Sequence, residues 1–237
     1  MNKITNFLLI ILLFLFFVSC DKSYDKLQSA DKVKIFENDF KYERKYRANI
    51  DTTSQKILLI GDSMAHFLEY RLNDYCEENN HLFYVVSWVS GTTEVFANTD
   101  TITYFIDKYD PTYIIFVIGS NEMFVKNPNE RSDFVYKIVE KFGKLKNIWV
   151  GPPNWKADTG INEMLVSTLG SKKFFMSKTL KFERKSSGDV HPSHKSSAMW
   201  MDSIASWIVN KSDFPIILNY PNVKSKKEII ETLITSD

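Results

Sequence analysis

The strongest feature of the hydrophobic pattern is an unbroken apolar run, Ile57-Leu58-Leu59-Ile60, closed by Gly61. Four residues are too few for a helix, and the absence of alternation suits a strand buried on both faces, as in a parallel sheet. Met64, Phe67, Leu68, Leu72 and Cys76 then recur at helical spacing. Ser63 therefore falls at a strand-to-helix turn. Further strands are predicted over 82 to 87, 113 to 118, 148 to 151 and 173 to 176. A helix carries Phe134, Ile138, Val139 and Phe142 and stops at Gly143; another covers 161 to 169 and ends at Gly170. The last clear helix presents Ala198, Met201, Ile204, Ala205 and Ile208 on one face. Such alternation predicts an α/β fold with a mostly parallel five-stranded sheet and helices on both faces. Beyond it, Pro215 and Pro221 break the chain, and Ile229, Ile230, Leu233 and Ile234 form a short apolar stripe. That stripe predicts a small helix over 225 to 235, packed on the domain because it is too short to hold in water alone.

The amino terminus follows another pattern. Lys3 precedes an apolar stretch from 7 to 18, followed by Ser19 and Cys20. A core of this length is short for a bilayer span and suits a secretory signal. The ending Phe17-Val18-Ser19-Cys20 resembles a bacterial lipobox, which implies an acylated Cys20 holding the protein to a membrane of the cell envelope; an uncleaved anchor or a buried cysteine is the alternative. The organisation expected is a signal at 1–19, a polar tether at 20–55, the folded domain at 56–211 and a C-terminal extension at 212–237. The 237 residues suit one domain with tails, and a formal net charge of +1 gives no sign of a nucleic-acid partner. Cys76 is the only cysteine besides Cys20, so no intrachain disulfide is available once Cys20 is acylated, and its place on the apolar stripe reads as core.

In a sheet of this kind ligands bind at the carboxyl ends of the strands. The segments expected there are Gly61-Asp62-Ser63, Val89-Ser90-Gly91-Thr92-Thr93 and Gly119-Ser120-Asn121-Glu122, joined by Gly188-Asp189-Val190-His191-Pro192-Ser193 before the last helix. Taken alone, Ser63 is either the cap of the following helix or a nucleophile beside unpaired N–H groups.

Together the four blocks resemble the SGNH hydrolases, the GDSL-type esterase superfamily, over roughly residues 56 to 211. The Ser, Gly, Asn and His of that family fall on Ser63, Gly91, Asn121 and His191. The resemblance implies a three-layer α/β/α, flavodoxin-like fold and hydrolysis of an acyl ester through an acyl-enzyme. Ser63 would be the nucleophile and His191 its base, with the oxyanion met by the N–H groups of Ser63 and Gly91 and the side-chain amide of Asn121. Two positions depart from the family pattern. Glu122 stands where the third block has an aspartate, in a structural role. Gly188 stands at the usual place of the supporting acid, three before the histidine, with Asp189 only two before it. Either Asp189 reaches the His191 ring from a bent loop, or a backbone carbonyl orients the ring and leaves a Ser–His dyad.

The other histidines read plainly: His66 on the polar face of the first helix near Glu69 and Asn73, His81 in a loop, His194 in the first turn of the last helix capped by Ser193. No His, Cys and carboxylate group has metal-ligand spacing and no glycine-rich phosphate loop is present, so no metal and no cofactor are expected. Met123, Phe124, Asn154 and Trp155 are expected to line the pocket. By analogy with the family the substrate is an acyl ester, acetyl being the commonest group, on a carbohydrate. An envelope O-acyltransferase using the same residues and a non-catalytic binding domain on the same fold are the alternatives.

Overall fold

The computed structural model describes residue 47 and residues 49 to 235. The expected signal, Cys20 and the tether through residue 46 lie outside the described residues. Six strands form one parallel sheet in the order β5-β4-β3-β1-β2-β6. β1 (Lys56–Asp62) lies at its centre, between β2 (Leu82–Trp88) and β3 (Tyr113–Val117). β4 (Lys146–Val150), β5 (Phe174–Phe175) and β6 (Ile230–Ile234) complete it.

The alternation of side chains along β1 explains the three layers. Ile57 and Leu59 join one core with Met64, Ala65 and Leu68 of α1 (Ser63–Glu78) and Met201, Ile204 and Ala205 of α6 (His194–Asn210). Leu58 and Ile60 join the opposite core, built from α2 (Thr93–Asn98), α3 (Thr101–Tyr109), α4 (Ser132–Phe142) and α5 (Ile161–Leu169). All four β1 side chains are fully buried. At about 1.5–3 kcal/mol for each such side chain, the run seen in the sequence is a main source of stability.

Gly61 lets the centre of the sheet close. A Cβ there would sit 2.0 Å from the carbonyl oxygen of Val117 on β3. The chain leaves β1 for β2 on one side and crosses to β3 on the other. The gap beyond the ends of β1 and β3 is thus the topological switch point where α/β sheets place their ligands.

The structure corrects the sequence-based expectation in three places. First, the segment over 225 to 235 is not a helix. Residues Ile230–Ile234 form β6, parallel to β2 with Tyr84 opposite Ile230 and Trp88 opposite Ile234. The open edge of β2 supplies backbone partners that a lone turn of helix lacks, and the sheet has six strands rather than five. Ile230 and Leu233 stay exposed on it. Second, α2 and α3 fill the span between Gly91 and Tyr109, for which no element was expected. The Thr92 side chain accepts the N–H of Val95 as the cap of α2, and Ile102, Phe105, Ile106 and Tyr109 line one side of α3. Third, the folded unit extends beyond 56 to 211. Arg47 donates to the Ser212 carbonyl at 2.8 Å, Asp51 forms a bridge with Ile216, and Ile216 is wholly buried. None of the described helices is long and apolar enough to cross a membrane.

Candidate active site

β1 ends at Asp62, whose Oδ1 accepts the N–H of Met64 at 2.9 Å and caps α1. The cap is therefore Asp62, and the Ser63 hydroxyl is left for other partners. Its Oγ lies 3.4 Å from Nε2 of His191, and His191 Nδ1 lies 2.9 Å from Asp189 Oδ1. The same Oδ1 accepts the backbone N–H of His191 at 2.9 Å. That bond is an Asx turn, in which an aspartate accepts from the residue two places on. It explains how an acid two residues before the histidine, rather than three, meets the ring. With Nδ1–H donated to Asp189, Nε2 presents its lone pair to Ser63. The His191 backbone N–H, more than the ring, holds the Asp189 carboxyl below the usual carboxylate range. Phe67, one turn after Ser63, stacks on the imidazole with centroids 4.7 Å apart.

On the acceptor side the structure differs from expectation. The N–H of Gly91 donates to the Trp88 carbonyl at 2.9 Å, closing a turn in which Ser90 has φ 63°. Gly91 therefore offers no free N–H to an oxyanion in this conformation. Its lack of a side chain serves packing, since a Cβ would meet Phe96 at 2.9 Å and the Trp88 carbonyl at 3.1 Å. The Asn121 side chain donates to the Gly91 carbonyl at 2.9 Å. An amide nitrogen carries two hydrogens, so one remains for the cavity that Asn121 lines. The Ser63 N–H belongs to the first turn of α1, whose N–H groups have no carbonyl partner within the helix.

A buried polar frame joins the blocks. Asp62 Oδ2 accepts the N–H of Ser120 at 3.1 Å, tying the end of β1 to the loop that carries Asn121. Burial pushes the Asp62 carboxyl from 3.8 up to about 7, against the pull of those two backbone N–H groups. Glu122 accepts the Thr93 N–H at 2.8 Å and the Thr93 hydroxyl at 2.7 Å, which ties the Asn121 loop to the start of α2. Burial raises its pKa as well. Arg184, which the sequence did not single out, donates to the carbonyls of Pro153, Asn154 and Val190 at 2.8, 2.6 and 2.9 Å. It laces the histidine loop to the end of β4. Nothing in the local sequence around Arg184 announces three carbonyl partners.

A cavity of about 430 Å³ opens over Ser63, His191 and Asn121. Of the four expected pocket residues only Trp155 lines it. Met123 is fully buried in the core, because it lies in the turn just after Ser120–Glu122 that folds back onto the sheet. Phe124 is exposed and meets Trp155 edge-on at 5.9 Å. The side chain of Asn154 is taken up by Asp158 and Asn162. The missing wall comes from Val89, Val190 and, on β6, Glu231 and Leu233. Reading the tail as a helix hid that contribution. His81 accepts the Gln55 N–H and meets the Ile217 carbonyl, a structural role, and burial pushes the Cys76 thiol well above its usual range.

No family model matches the chain, and no curated protein matches it significantly. Among solved structures, an α/β hydrolase named LAE5, from the metagenome of Lake Arreo in Spain, is 13% identical with a TM-score of 0.47. That match covers 66% of this chain and 96% of that one. A GDP-L-fucose synthetase from Naegleria fowleri bound to NADP is 15% identical with a TM-score of 0.29, over 70% of this chain and 48% of that one. At these values neither likeness carries an argument about activity.

Proposed function

We propose that the chain is a serine esterase of SGNH type that cleaves an acyl ester through an acyl-Ser63 intermediate. The observation that carries this reading is the row Ser63 Oγ, His191 Nε2, His191 Nδ1 and Asp189 Oδ1, with separations of 3.4 and 2.9 Å across its two gaps. In the reaction, Nε2 takes the Ser63 proton as Oγ bonds to the carbonyl carbon. The resulting oxyanion draws on the free hydrogen of Asn121 and the N–H at the start of α1, and loss of one such donor typically costs about 3–4 kcal/mol. The imidazolium, held in place by Asp189 and Phe67, returns the proton to the departing alcohol oxygen. Water, deprotonated by the same Nε2, then attacks the acyl carbon, and Ser63 leaves with the proton. The 3.4 Å gap is a resting distance of the kind that shortens when substrate binds.

The walls formed by Phe67, Val89, Val190 and Leu233 support a short apolar acyl group such as acetyl. Trp155, which lines the cavity, offers an indole on which a sugar ring of the alcohol side could stack. The apolar stretch before Cys20 supports attachment to the cell envelope by acylation of that cysteine.

The test is turnover of an activated acetyl ester by the full chain. Ser63→Ala should abolish it with the melting temperature preserved, and mass spectrometry should find an acyl adduct on Ser63 of the wild type. Undiminished turnover by Ser63→Ala would remove the proposal. Asp189→Asn should lower kcat far more than it raises KM, with about ten-thousandfold, the loss in a serine protease of another fold, as the ceiling. A variant within a few-fold of wild type would leave His191 acting without its acid.

A further inference from the structure

β6 crosses the outer side of the cavity and brings Glu231 against α1. His66 Nδ1 lies 3.0 Å from Glu231 Oε1 and 3.1 Å from Glu69 Oε1. One atom from each residue falls within 4.8 Å of the other two. We propose that His66, Glu69 and Glu231 hold a divalent cation of the zinc class where α1 meets β6.

Three observations lead there. His66 Nδ1 stands between two carboxylate oxygens, and a single hydrogen there cannot serve both at full strength. Glu69 is buried, with its side chain only 2% exposed, and its Oε2 has no hydrogen-bond partner among the described residues. Leaving a buried carboxylate oxygen unpaired is costly, and a cation removes the cost. Finally, Glu69 and Glu231 both border a second cavity of about 710 Å³ beside Ser197, which gives room for water to complete the coordination.

The donor set selects the ion. Zinc binds imidazole nitrogen and carboxylate oxygen at about 2.0–2.2 Å in tetrahedral geometry, which puts ligand atoms roughly 3.4 Å apart. The two short separations open to that value by small rotations of His66 and Glu231, both partly exposed at 41% and 28%. Calcium asks for six to eight oxygens, and the imidazole favours a later first-row ion over manganese. A cation so placed fastens β6 to α1, and with it the cavity wall that Leu233 supplies. This site does not depend on the esterase reading, because its test reads binding and not turnover.

The experiment is calorimetric titration of the chelator-stripped full chain with zinc chloride, with manganese and calcium chlorides in parallel. One zinc per chain is expected, with weaker manganese and no comparable calcium binding. Zinc at a hundred times its Kd should raise the melting temperature by about 5–10 °C. His66→Ala and Glu231→Gln, both at partly exposed positions, should each lose at least tenfold in zinc affinity while remaining folded by circular dichroism. Absence of saturable zinc binding up to about millimolar would overturn the site. So would binding that persists unchanged in both variants, which would place the ion elsewhere, or calcium bound as tightly as zinc.

Discussion

Asp62 allows one buried group to be weighed against pH. Its carboxyl is fully buried and accepts the N–H groups of Met64 and Ser120, yet burial outweighs both bonds and carries its pKa from 3.8 to about 7. Between those values the folded chain holds a proton that the unfolded chain has lost. Stability therefore falls as pH rises through that window and levels off above about pH 7. The gap between 3.8 and about 7 corresponds to about 4 kcal/mol. Asp62→Asn is neutral throughout, but its single acceptor oxygen faces two N–H groups. At pH 4 it should be less stable than wild type by about 1–3 kcal/mol, the cost of one buried N–H left without a partner. By pH 8 the wild type bears its own ionisation penalty, and the variant should equal or exceed it. The assay is urea unfolding of both proteins from pH 4 to 8, with equal denaturant slopes confirming a common unfolded state. Subtracting the two curves cancels every other titrating group. A difference that stays constant to within about 1 kcal/mol over that range would refute the reasoning and show Asp62 ionised throughout.

Gly61→Ala should destabilise the centre of the sheet, since the new Cβ meets the Val117 backbone at 2.0 Å and no side-chain rotation relieves it. A cost of about 3 kcal/mol or more is expected, read as a fall in melting temperature of at least about 5 °C; a smaller fall would mean that β1 and β3 part easily. Arg184→Ala cuts the tie between the Val190 carbonyl of the histidine loop and the carbonyls of Pro153 and Asn154. On the proposed esterase reading it should lower kcat by about tenfold to a hundredfold with KM little changed, partly restored by Arg184→Lys. Equal kcat in wild type and Arg184→Ala would show that the Asx turn alone positions His191.

What was legible in the chain was local. The run Ile57 to Ile60 specified the central strand because full burial on two faces leaves no polar position in it, and the glycine after it marked the turn. The Asp189 side chain could be expected near His191 because both lie in one short loop. The partners that escaped the sequence are remote ones. Ile230 and Leu233 fit a helical stripe and a strand equally well, and only the open edge of β2 decides between them. Gly91 looked like an open donor until the turn from Trp88 was seen to claim its N–H. Arg184 and Glu231 gain their meaning from loops and strands far away in the chain. The span holding α3 is a different case: Ile102, Phe105, Ile106 and Tyr109 carry a helical period that sequence reasoning can recognise.

The remoteness of β6 also bears on the order in which the molecule assembles. Its contact with α1 through Glu231 and His66 joins residues 165 apart, whereas β1, α1 and β2 meet across short connections. Closing a loop of that length carries an entropy cost before any contact rewards it, so the nearby β1-α1-β2 unit is favoured to form first. The sheet and both cores should gather while the outer wall of the cavity is still absent. A folding chain would then pass through a stage with Ser63 and α1 in place but Glu231 and Leu233 missing from the rim. On the proposed esterase reading, recovery of turnover after dilution from denaturant should lag behind recovery of helical circular dichroism, because β6 contributes no helix.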